Sequence, residues 1–111
     1  MPASKPPAPA VWGASYLAEG LSTAQLVKRL TALAEALRDL GQDDRPRGLT
    51  QTAAALITER LTAHKDKAVR VLTACCLCDV LRVYAPEAPY SDPELQVRVL
   101  PLLRLLLLLL R

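Results

Sequence analysis

Three cysteines, Cys75, Cys76 and Cys78, crowd the stretch "ACCLCDVLRVYAPEAPY". Thiols this close could coordinate a soft metal, or react as a thiolate nucleophile or redox group. Structural zinc needs four ligands, usually as two pairs brought together by a turn. Here the three thiols lie along one helical pattern, in which Cys75 and Cys78 share a face and Cys76 points about a quarter turn away. His64 is the only histidine, so one chain cannot close a site. A redox thiol gains from the positive end of a helix, and these lie past the middle of theirs. They read as small buried hydrophobes, with a reactive thiol or an intersubunit metal as the alternatives. No metal, cofactor or catalytic group is expected.

His64 could serve as a general base, yet no serine, cysteine or carboxylate is spaced to partner it. A turn or capping role fits its place beside Lys65 and Asp66, and Asp66 suits the cap of the helix that follows. Asp79 sits inside an apolar pattern with Arg82 three residues on, which predicts a local ion pair at the core's edge. The run Tyr84, Ala85, Pro86, Glu87, Ala88, Pro89, Tyr90 is different in kind. Two prolines preset φ and restrict the alanines before them, so the loop is stiff and has little entropy to lose on binding. Two tyrosines flank it, each with an apolar face and a polar tip, and Glu87 is presented between them. On this physics alone it is equally a rigid inter-helix turn or a peptide-docking surface.

Helices must position these residues. In "STAQLVKRLTALAEALRDLG", Ser22 and Gln25 form a capping box, and Leu26, Leu30, Leu33, Leu37 and Leu40 recur at helical steps. Gly41 is placed to end that helix at positive φ. A second helix is predicted over "LTQTAAALITERLT", with Leu49, Ala53, Leu56, Ile57 and Leu61 apolar. A third runs from about Asp66 to Tyr84. Val69, Leu72, Cys76, Val80 and Val83 lie on one side, Leu77, Leu81 and Tyr84 widen it, and Ala74 and Cys75 occupy another, covering so much of the circumference that it must be an inner helix. Pro86 and Pro89 stop it. A fourth starts near "SDPEL", capped by Ser91 or Asp92, and Pro101 should kink or break it. No period-two alternation occurs, so the chain is expected to be all-α. "VWGASYLAEGL" could be a short helix or a loop anchored by Trp12 and Tyr16.

The totals exclude other classes. With 111 residues, 51% of them apolar and no Phe, the core must be built from Leu, Val and Ala. The net charge of +3 is spread along the chain, unlike the clustered stripe of a nucleic-acid binder. An odd number of local cysteines argues against a disulfide framework and for a reducing compartment. The proline-rich "MPASKPPAPA" reads as a disordered tail. The leucine run at 105–110 is too short to span a membrane.

The segment "AHKDKAVRVLTACCLCDVLRVYAPEAPYSD" resembles the N-terminal region of the cohesin-associated HEAT-repeat regulators, the precocious-dissociation-of-sisters proteins of sister-chromatid cohesion. The shared pattern is a His-Lys-Asp-Lys turn, "R…ACC", "D-[IV]-L-R" and "YAP-acidic-APY". The resemblance spans about residues 22–96 and is densest over 64–92. It implies stacked antiparallel helix pairs of HEAT-repeat, α-solenoid type, about four helices in all. Three regions are expected: a proline-rich, disordered or weakly ordered tail at 1–21, HEAT-like helical repeats at 22–92, and a leucine-rich C-terminal helix or truncated end at 93–111, where from about Gln96 the leucine run departs from the family. The resemblance also implies a nuclear, non-catalytic scaffold, part of a longer protein. Its partners would be cohesin's kleisin subunit, the releasing factor wings apart-like protein or its antagonists, and cohesin acetyltransferases. Docking would use Ala85–Pro89 with Tyr84 and Tyr90. The family usually has aspartate in place of Glu87, whose extra methylene moves the carboxylate outward. The other reading is a generic all-α interaction module that associates through its apolar faces.

Overall fold

The computed structural model of the chain describes residues 11–109. Among them are helices and turns but no strand, as the apolar period predicts. A 3-10 turn, Ala14–Leu17, precedes α1 (Thr23–Arg38), α2 (Leu49–Leu56), α3 (Glu59–Thr62) and α4 (Lys67–Tyr84). Then come α5 (Asp92–Glu94), a π-helical stretch (Leu95–Val99) and α6 (Leu100–Leu109). The proline-rich residues 1–10 and the last leucine, Leu110, lie outside the described residues. Residues 11–21, grouped with the tail on sequence, are packed. Val11 and Leu17 are buried, and the Gly13 N–H donates to Thr52 Oγ1 at 2.7 Å.

The capping box starts α1 as expected: Ser22 Oγ accepts from the Gln25 N–H, and Gln25 Oε1 accepts from the Ser22 N–H. Leu26, Leu30, Leu33 and Leu37 are buried along one stripe. Fully burying a leucine contributes about 1.5–3 kcal/mol, so this stripe dominates what holds α1 in place. The end of α1 differs from expectation. Asp39 is its C-cap, and Gly41 does not have positive φ. The Gly41 N–H instead donates to Asp44 Oδ2 at 2.7 Å, closing a side-chain-stabilised turn. The left-handed conformation falls on Gly48 (φ 91°), which precedes α2. A Cβ there would meet Trp12 backbone at 3.1 Å.

The second helix is also not continuous. It breaks at Ile57–Thr58, where Thr58 is extended and its hydroxyl donates to the Ala55 carbonyl at 2.7 Å. Two consecutive β-branched residues, one competing for a helical acceptor, divide the segment into α2 and α3. Asp66 caps α4, with Oδ1 accepting from the Ala68 and Val69 N–H groups. α4 is the inner helix: it packs against α1, α2, α3 and α6. Val69, Cys76, Leu77, Val80 and Val83 are all fully buried.

Chain direction follows from cross-contacts. Cys76 lies against the Leu30 carbonyl, and Arg82 against those of Leu37 and Leu40, so α1 and α4 run parallel. Gln42 and Thr50 lie at the end of α4, whereas Arg60 donates to the Leu17 and Ala18 carbonyls just before α1. α2 and α3 therefore run back, antiparallel to both. A down-and-back pair followed by a parallel successor is the stacking of an α-solenoid of HEAT type.

Ser91 caps the last segment with a second capping box to Glu94. Pro101 neither stops this segment nor breaks it. Just before it the helix widens by one residue, and the Leu100 N–H donates to the Leu95 carbonyl, five residues back. Such a bulge relieves the clash of a proline ring with the preceding turn while the helix continues. No helix of the described residues is long and apolar enough to cross a membrane.

Candidate functional site

α4 ends where its chemistry becomes accessible. Ala85, ahead of Pro86, is extended (φ −52°, ψ 145°), as a pre-proline residue must be. The Glu87 N–H donates to the Tyr84 carbonyl at 3.1 Å and closes the turn. Ala85, Pro86 and Glu87 are exposed, and Ala88 and Pro89 are half-buried.

The flanking tyrosines divide the work. Tyr84 is half-buried: its ring lies 4.4 Å beneath the Arg45 guanidinium, and its hydroxyl is 3.4 Å from Thr50 Oγ1. Tyr90 is 8% exposed and its hydroxyl donates to the Ala53 carbonyl at 2.9 Å. Burial, with Tyr84, Glu94 and Cys76 adding to it, pushes that hydroxyl's pKa up, so it stays a donor. Tyr90 therefore anchors the corner to α2 and has little surface to offer a partner.

The 41–48 turn is the corner's second wall, and the sequence did not disclose it. Gln42 Nε2 donates to the Ala85 carbonyl at 3.4 Å. Arg45 donates to the Gln42 and Asp44 carbonyls and keeps its guanidinium over the Tyr84 ring, an arrangement favourable to cation–π attraction. Arg82 sets the frame. It pairs with Asp79 at 3.1 Å, as expected, and also donates to Leu40 O at 2.8 Å and Leu37 O at 2.9 Å. One guanidinium thus adds a charged donor to carbonyls at and just past the C-terminal end of α1 and fixes the end of α4 beside them. The Asp79–Arg82 spacing signals only the local pair. The link to α1 spans more than forty residues and has no local signal.

The cysteines diverge. Cys76 is buried, with Sγ 3.7 Å from the Leu30 carbonyl, and packs as a small hydrophobe. Burial, then Cys75, Asp79 and Cys78, push its thiol up to about 12. Cys75 is half-buried and Cys78 exposed, so the expectation of three buried thiols is corrected for these two. α4 turns its Cys78 side to solvent, because its neighbours cover less of the circumference than the apolar pattern suggested. Even so, partial burial, Cys75 and Asp79 raise the Cys78 thiol, which disfavours a thiolate. No cluster of three or more His, Cys, Asp or Glu poised for a metal occurs among the described residues. His64 Nδ1 accepts from the Asp66 N–H at 3.0 Å, the turn role expected of it.

What this geometry can do is hold a stiff, exposed Ala-Pro-Glu against a tyrosine–arginine stack at the edge of a rigid helical layer.

A family model described as "Sister chromatid cohesion protein PDS5 protein" matches residues 24–100. The sister chromatid cohesion protein PDS5 of Saccharomyces cerevisiae is 49% identical over 76 residues, covering 68% of this chain and 6% of its own length. The human PDS5 homolog A is 36% identical over 84 residues, covering 74% of this chain and 6% of its own. A chain from the solved structure of a Pds5-Scc1 complex superposes with a TM-score of 0.64 at 48% identity, over 68% of this chain and 12% of that one. The chain therefore spans about 6% of the length of these two curated relatives.

Proposed function

The chain belongs to the PDS5 family of sister chromatid cohesion proteins, and from that premise we propose that it is a non-catalytic HEAT-repeat scaffold segment acting in the nucleus. Its task is to dock cohesin's kleisin subunit or a cohesin-release or acetylation factor through the corner formed by Tyr84, Ala85, Pro86, Glu87, Ala88 and Pro89, anchored by Tyr90. The observation that carries this reading is the exposed Ala85–Glu87 turn, held by Gln42 and by the Tyr84–Arg45 stack, in a chain so similar to one solved as part of a Pds5-Scc1 complex. A preorganised turn loses little entropy on binding, so a short peptide can gain useful affinity from few contacts. The scaffold reading is also supported by what the reactive residue types do here: Cys76 is packed and protonated, and His64 is spent on a turn. In this reading residues 22–92 are the repeat unit and 93–111 a leucine-rich helix laid against it.

Anisotropy titrations of the chain with labelled peptides from the kleisin and from the wings apart-like protein test the proposal. At least one peptide should bind the wild-type chain, and the P86A/E87K variant should lose it. Equal retention by both proteins would remove the corner as the docking surface.

A further inference from the structure

Arg45 is anchored along one edge of its guanidinium and open along another. It lies in the turn that joins α1 to α2, at the edge of the helical layer rather than on a face that a further helix pair would cover. A guanidinium carries five N–H groups in a fixed plane. Nη1 supplies two bonds, to the Gln42 and Asp44 carbonyls, and the Tyr84 ring centre lies 4.4 Å from Cζ. The other three N–H groups sit on Nε and Nη2, and no acceptor or ion-pair partner meets them among the described residues. Arg82, also at the corner, has no such open edge: Nε goes to Asp79, Nη1 to Leu40 and Nη2 to Leu37.

The open edge is the one that suits a carboxylate. Nε and Nη2 point the same way, spaced to meet both carboxylate oxygens through two parallel bonds. An ordinary exposed arginine must be drawn from many rotamers to do this, at a cost in side-chain entropy. Here two carbonyls and an aromatic ring already hold the plane, so the ordering takes place on folding rather than on binding. We infer, building on the docking role proposed for the corner, that Arg45 is its specificity-determining residue: it receives one side-chain carboxylate of the docked segment, side on, through Nε and Nη2. The surroundings favour a single carboxylate over a phosphate. Asp43 and Asp44 adjoin Arg45 in the chain, Glu87 follows Tyr84 by three residues, and all three are exposed, so a group with about two negative charges meets more repulsion there. A basic side chain placed at the open edge meets like charge, and an uncharged one gains nothing from it. With Glu87 beyond Tyr84 on the other wall, a segment that puts its carboxylate on Arg45 is also fixed in its direction along the corner.

The test is a double-mutant cycle on the full chain. It takes the peptide that binds the wild-type chain in the anisotropy titrations and replaces its aspartates and glutamates by the matching amides, one at a time. One replacement should weaken binding roughly fivefold or more. Arg45→Gln should weaken the parent peptide by a similar factor, and in that variant the same replacement should have no further effect. Arg45→Lys keeps the charge without the two-pronged edge and should resemble Arg45→Gln. Arg47→Gln removes an equal charge from an exposed position two residues away and should leave the fivefold difference in place. The Arg45 Nε–H resonance should move when the parent peptide is added and hold still with the amide peptide, a selectivity that a merely structural role would not produce. If the peptide binds but carries no carboxylate, or none couples to Arg45, or Arg47→Gln abolishes the difference equally, the inference falls and the docking role stands. If no peptide binds the wild-type chain, both fall.

Discussion

Removing the Arg82 guanidinium should loosen the molecule at the joint between its first helix and its inner helix. Arg82 donates to two carbonyls at the C-terminal end of α1 and to Asp79. Hydrogen bonds from a charged donor contribute about 1.5–3 kcal/mol each when buried. This side chain is 42% exposed, so screening brings each nearer to about 1 kcal/mol. Losing both in Arg82→Met should cost about 2 kcal/mol in all, a drop in Tm on the order of 10 °C for a domain this size. The exposed ion pair itself contributes about 0.5 kcal/mol or less. Asp79→Asn should therefore be nearly silent, and Arg82→Lys, which keeps charge but cannot span both carbonyls, should fall close to Arg82→Met. Urea melts of the three variants measure this directly. If Asp79→Asn costs as much as Arg82→Met, or Arg82→Met costs less than about 0.5 kcal/mol, the guanidinium is not the fastening of α1 to α4.

Other consequences are open to measurement. Tyr90→Phe removes a buried donor to Ala53 and should cost about 1–3 kcal/mol in urea denaturation. A thiol titration of the native protein should label Cys78 first and leave Cys76 until unfolding; early reaction of Cys76 would contradict its burial. The Cys76 thiol rises from an ordinary value of 9.0 to about 12 in the fold, so above pH 9.0 the unfolded chain binds fewer protons than the folded one. Stability should be full below that pH and fall as pH rises toward 12, by up to about 1.4 kcal/mol per pH unit from this group, and Cys76→Ala should flatten the decline. Leu77→Ala, at a fully buried inner-helix position, should cost about 2–5 kcal/mol.

Much of this architecture is legible in the residues because it depends on local signals. The Ser22 and Ser91 capping boxes, the Asp66 cap and the leucine stripe of α1 each declare themselves within a few residues. The all-α class and the inner position of α4 follow from apolar period and circumference. What escaped depends on contacts distant in sequence or on competition within a turn. Thr58 takes a carbonyl that α2 would have used. Asp44 captures the Gly41 N–H, and Gly48 takes the left-handed turn because the chain passes Trp12 there. Pro101 is absorbed by a bulge whose only trace is a shift from four-residue to five-residue hydrogen bonding. At the corner the prolines were visible. The second wall at Gln42 and Arg45, and the withdrawal of Tyr90 into the core, came only with the return of α2 beneath α4.

The central claim is that a rigid inner helix presents a stiff corner for another protein to grip, and amide chemical-shift mapping tests it most directly. On titration with the peptide that binds in anisotropy, the largest shifts should fall on Tyr84, Ala85, Glu87 and Ala88 and on Gln42 and Arg45, while Val69 to Val80 hardly move. Shifts centred on Thr62, Val97 and Leu108 instead, or spread through α4, would contradict it.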